Sequence, residues 1–174
     1  MIFHRLGLIS KNQRGFTLIG LMLAIAITGI VTAGVTTTML QVLDGSARIN
    51  NHMTAVRQVQ SAGYWVSHDV QMAKTVEPEP APDPDGFPLN LVIPVGPVND
   101  YSISYLLDGD KLKRQVINGS PATLIAEYID QTEKDGEPQT KCEFIDGVLI
   151  FTVTATVQEQ SETRVYEVIR RPGS

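Results

Sequence analysis

An α+β fold is predicted: a long N-terminal helix, membrane-spanning in its first half and amphipathic in its second, packed on an antiparallel β-sheet head. Three observations predict it. No Asp, Glu, Lys, Arg or Pro occurs from Phe16 to Leu43, a run longer than the roughly 20 apolar residues that a bilayer-spanning helix needs. Behind it, apolar residues recur at steps of three and four as far as Ala73, which is a helical period. From Leu89 onward the period changes to two, as strands require.

The chain of 174 residues has room for one ordinary domain plus a membrane segment. Its net charge is -5, and Arg5, Lys11 and Arg14 give residues 1–15 three positive charges and no acid, so the rest carries -8. That acidity argues against a nucleic-acid surface, which clusters Lys and Arg. The one cysteine, Cys142, excludes an internal disulfide framework and any Cys-cluster zinc site.

Residues 1–15 are read as a cytoplasmic leader and 16–43 as the transmembrane helix. The basic residues precede the run, which keeps the N-terminus cytoplasmic and places the body outside. A secretory signal peptide has an apolar core of about 7–15 residues and then a small-x-small cleavage site. Here the run is longer, and the best small-residue site, Thr32-Ala33-Gly34, lies inside it. An uncleaved signal anchor explains the hydrophobicity and the orientation, but not the Gly15-Phe16 junction at the start.

Lys11 to Ile30, with Gly15, Phe16, Thr17, Leu18 and Ile19 in order at the membrane edge, resembles the N-terminus of type IV prepilins and pseudopilins. The resemblance implies that a membrane-embedded prepilin peptidase cuts after Gly15 and N-methylates the new terminus on Phe16. It also implies a helix drawn from membrane lipid into a filament by an inner-membrane assembly platform. The expected partners are that peptidase, the platform and other pilin or pseudopilin subunits. The chain departs from the family at Gly20, where a Glu is usual. In the family that carboxylate pairs with the amino terminus of a neighbouring subunit; an ionised group at that depth is costly unless paired. Gly20 therefore points to a minor subunit of a type IV pilus-like or type II secretion pseudopilus filament, at or near its tip.

Residues 44–76 are expected to continue the helix as an amphipathic spine, with Ile49, Met53, Val56, Val59, Gly63, Val66, Val70 and Ala73 on one face. Trp65 sits at the edge of that stripe, and His52 and His68 fall on the watered side. In the linker assigned to 77–88, prolines at alternate positions stop the helix by removing backbone donors and pushing each preceding residue out of helical geometry. Glu77, Glu79, Asp83 and Asp85 have no EF-hand spacing, so a stiff solvated linker is preferred to a calcium loop.

Residues 89–174 form the head, with five or six strands in hairpin order in one antiparallel sheet. Gly109 and Asp146-Gly147 mark turns, and Leu149, Phe151, Val153, Ala155 and Val157 line one face of a late strand. Leu124 to Ile129 is an apolar segment of open type. The hairpin from Tyr105 to Gly119 and the Val/Thr-rich strands that follow resemble the heads of minor pseudopilins.

No Gly-x-Gly-x-x-Gly, Walker or Gly-x-Ser-x-Gly pattern occurs, and no catalytic, metal or cofactor residue is assigned. The chain reads as the substrate of a processing enzyme, not as an enzyme. The alternative is an uncleaved, membrane-anchored extracytoplasmic binding module.

Overall fold

The computed structural model describes residues 17–78, 85–95, 99–117 and 120–171. The chain divides into two compact units, one ending at Gly45 and the other beginning at Ser46. One helix, α1 (Leu18–Met72), contributes to both.

The first unit holds the apolar part of α1. Its large side chains, from Leu18 and Ile19 to Val42 and Leu43, are exposed, and this helix is long and apolar enough to cross a membrane.

In the second unit, α1 buries Ala55, Val59, Ala62, Gly63, Val66, Asp69 and Val70 against strands. Ten strands follow: β1 (Thr75–Pro78), β2 (Leu89–Val95), β3 (Asn99–Asp108), β4 (Lys111–Val116), β5 (Thr123–Ala126), β6 (Glu133–Lys134), β7 (Glu137–Pro138), β8 (Lys141–Ile145), β9 (Val148–Val157) and β10 (Gln160–Ile169). They make a five-stranded sheet in the order β1-β2-β3-β4-β5, a three-stranded sheet β10-β9-β8 and a β6-β7 hairpin. Every pairing is antiparallel. The predicted layout of one long helix on an antiparallel β head is therefore observed.

Three details depart from the sequence reading. Helix α1 ends at Met72 rather than near Val76. Lys74 N–H donates to the carbonyl of Val92 at 2.6 Å, and Thr75 to Pro78 pair with Leu89 to Val92. The β-branched pair Thr75-Val76, just ahead of Pro78, takes the sheet ladder that a helix ending in prolines cannot offer. Glu77 and Pro78, assigned to the linker, thus belong to a strand. Residues 79–84 lie outside the described residues.

Secondly, the expected single sheet is two sheets joined by the segment after β5. There Ile129 N–H donates to Asp110, Asp130 N–H to Thr154, and Thr156 N–H to the carbonyl of Tyr128. Leu124 to Ile129, left open above, is β5 followed by this bridge.

Thirdly, Ile49 and Met53 stay 65% and 48% exposed. The buried stripe instead begins at Ala55, where the small side chains of Ala55 and Ala62 let the strands approach. Gly63 has the same role in a stricter form: a Cβ there would overlap the ring of Tyr166, whose hydroxyl donates to the Val59 carbonyl at 3.1 Å.

Candidate functional site

Gly15 and Phe16, the residues the sequence singles out, lie just outside the described residues. The first described turn begins at Thr17. Its carbonyl accepts from Leu21 N–H at 3.1 Å, and its Oγ1 accepts from Gly20 N–H at 3.3 Å. Thr17 is thus the helix N-cap and Gly20 the third helical residue, the place where Glu or Gln would complete a capping box. No acid occupies the first turn, so the positive end of the helix dipole has no internal counter-charge. Glycine is not needed there for space. A Cβ at Gly20 would meet only Thr17 Oγ1, at 3.3 Å.

Beyond the cap, the threonines of the run satisfy themselves. The hydroxyls of Thr28, Thr32 and Thr36 donate to the carbonyls four residues earlier at 2.8, 2.8 and 2.9 Å. Thr37 and Thr38 do the same to Ala33 and Gly34. A polar hydrogen with an internal acceptor costs little in lipid, so these residues do not interrupt the apolar surface.

A charged N-flank, an N-capped start at Thr17 and an unbroken lipid-compatible helix thus meet within a few residues of Gly15. Residues 10–36 match the family model for the prokaryotic N-terminal methylation motif. This segment carries the N-terminal motif of type IV prepilins and pseudopilins. No curated protein and no solved structure matches the chain, so the motif, not the head, carries the assignment. The motif supports a pilin- or pseudopilin-type subunit.

In the pilin-like head, the main polar feature is a carboxylate that the sequence reading passed over. Asp69 lies on the buried stripe of α1, 1% exposed. Its Oδ2 accepts from Tyr105 OH at 2.7 Å and from Arg114 Nε at 2.7 Å. Burial, and then the adjacent Asp69 carboxylate, push the Tyr105 phenol well above its ordinary range. Burial alone pulls the Arg114 guanidinium down, but Asp69 outweighs it and the net direction is up. Arg114 also lies over the Trp65 ring, 5.5 Å from its centroid, which places Trp65 at the core edge as expected. His52 and His68 are exposed.

These groups lock a helix to two strands. A nucleophile–base pair is not among them. Among the described residues no group of three or more His, Cys, Asp or Glu is placed to hold a metal ion. A shallow cleft of about 530 Å³ beside Tyr128, Asp130 and Thr132 is lined by groups already engaged. Both Asp130 oxygens accept, from Thr132 and Thr156, and these bonds outweigh burial to hold its carboxyl below the usual range.

Cys142 is buried, and its Sγ donates to the Gly86 carbonyl at 2.9 Å. Burial, then the Asp85 and Glu143 carboxylates, push its thiol pKa far up. The folded head therefore holds the thiol proton more tightly than the unfolded chain does. The resulting stability is full below the unfolded thiol pKa of about 8.5 and is lost as pH rises above it, at about 1.4 kcal/mol per pH unit. Cys142→Ser should flatten the decline in head stability between about pH 8.5 and 10, read by urea unfolding of the full chain in detergent. Equal slopes in both proteins would show that the thiol ionises without unfolding.

Proposed function

We propose that this chain is a minor structural subunit of a type IV pilus-like or type II secretion pseudopilus filament. In this reading prepilin peptidase removes residues 1–15 after Gly15 and N-methylates Phe16. The helix over 16–43 is stored in the cytoplasmic (inner) membrane, with the N-terminus inside and the head outside. The assembly platform then moves it into contact with other pilin or pseudopilin subunits. The observation that carries the reading is the methylation motif over residues 10–36, joined to a helical start that holds Gly20 in place of a carboxylate.

Intact-mass measurement of the chain co-expressed with a prepilin peptidase tests maturation: residues 1–15 should be lost and one methyl group gained on Phe16. An intact leader would leave the uncleaved, membrane-anchored binding module instead.

The minor role rests on Gly20 and has its own test. Because a side chain there displaces only the Thr17 hydroxyl, Gly20→Glu should restore both a capping-box acid and a partner for a neighbour's amino terminus. The variant should then enter filaments efficiently where the natural chain does so sparsely. Abundant filaments of the natural chain on its own would sink this assignment.

A further inference from the structure

The solvent face of the three-stranded sheet is apolar at one end. Strand register sets Ile145, Val148 and Ile169 side by side across β8, β9 and β10, with Ile150 in the next row and Val165 diagonal to it. Ile145, Val165 and Ile169 are 51%, 58% and 69% exposed. A slipped register does not explain them, because Leu149, Phe151 and Val153 of the same strand already fill the core on the other face. Further along, the same side of β9 carries Thr152, Thr154 and Thr156, and Thr154 is covered by Gln139 and Thr140, so the exposed apolar character is confined. A contiguous aliphatic patch with a polar rim marks a surface that another molecule covers.

We propose that this patch docks an unlike polypeptide, one whose contact face has an aliphatic centre and Lys or Arg at its rim. The charge around the patch selects that partner. Glu143 and Glu167 flank Ile150 in one row, and Asp146 stands at the hairpin tip. Of the nearby cations, Lys141 already bridges Glu137 and Glu143, Arg170 donates to the Lys74 carbonyl, and Arg171 follows at the end of β10. Residues 75–174 hold seventeen Asp and Glu against eight Lys and Arg, so two copies meeting face to face would set acids against acids. Five aliphatic side chains supply on the order of 300 Å², well short of the roughly 800 Å² per partner of a stable complex. Such a contact is weak alone and gains from both partners being held in one membrane, where the effective concentration is high. It does not depend on removal of the leader.

The test uses the full chain in its own cells, with benzoylphenylalanine placed at Ile169 or, as a control, at exposed Thr123 on the other sheet. Irradiation should give an adduct with a different chain from position 169 and not from 123. The captured peptide should carry aliphatic residues beside Lys or Arg. Glu167→Lys, a surface change that leaves the core intact, should lower the yield roughly fivefold or more. The same probe at Val165 should lose its adduct with Ile169→Glu. The proposal is overturned by equal yields from 169 and 123, by an adduct with a second copy of this chain, or by yields that ignore Glu167→Lys.

Discussion

Gly15→Leu should leave residues 1–15 attached in cells that hold a prepilin peptidase, while membrane insertion proceeds as before. The two outcomes separate because they depend on different physics. Insertion depends on the apolar run from Phe16 to Leu43 and on Arg5, Lys11 and Arg14 ahead of it, none of which changes. Cleavage depends on how closely the peptide bond after residue 15 approaches the peptidase. A residue with no Cβ imposes no steric demand there, and a branched side chain holds the bond away. A displacement of about 1 Å from reacting geometry slows an enzymatic step roughly 100-fold, enough to leave the precursor dominant. Intact mass reads the cleavage and alkaline carbonate extraction reads the insertion. Normal cutting of Gly15→Leu would show that the junction lies elsewhere. Loss of both readouts would place Gly15 in insertion instead.

The methylation motif over residues 10–36 was legible because it is a linear pattern that does not depend on the fold. The same holds for features set by neighbours in sequence. The change of period at Leu89 gave the strands, and Asp146-Gly147 gave a hairpin whose two turn residues take positive φ, 52° and 85°, as a tight two-residue turn demands. What sequence reading missed was set by distant partners. Thr75-Val76 continues a helical spacing well enough, and only the ladder to Leu91 and Val92 makes it a strand. Ile49 and Met53 fit the apolar stripe, but no strand reaches them. Gly63 looked like one more stripe position, whereas the Tyr166 ring lying over it, from a strand about a hundred residues away, makes any side chain a clash. Asp69 left a signal that went unused: a carboxylate between Val66 and Val70 on a buried stripe demands a cation or donors from the facing strands. Arg114 and Tyr105 were candidates by charge and by hydroxyl, but the register linking β3 to β4 was needed to bring them together.

Arg114→Ala should be the most damaging single change in the head, costing about 3–5 kcal/mol. The expectation follows from Asp69, not from the intrinsic worth of the ion pair. Asp69 is nearly inaccessible to water, so truncating Arg114 leaves a buried charge with only Tyr105 OH on one oxygen and the Nδ1 of exposed His68, 3.4 Å away, on the other. A buried pair replaced whole by apolar groups is often neutral, whereas a broken one is costly. The double variant Asp69→Leu, Arg114→Met should accordingly be more stable than Arg114→Ala alone, despite carrying more substitutions. Tyr105→Phe removes one donor and keeps the guanidinium, and should fall between them at about 1.5–3 kcal/mol. Urea unfolding of the full chain in detergent, followed by circular dichroism because Trp65 itself stacks on Arg114, should rank the three. With a slope of about 1–3 kcal/mol per molar urea, the single variant's midpoint should drop by roughly 2 M. If Arg114→Ala costs less than about 1 kcal/mol, or if the double variant is the least stable of the set, Asp69 does not depend on its cation. The joint between α1 and the five-stranded sheet would then be held by apolar packing alone.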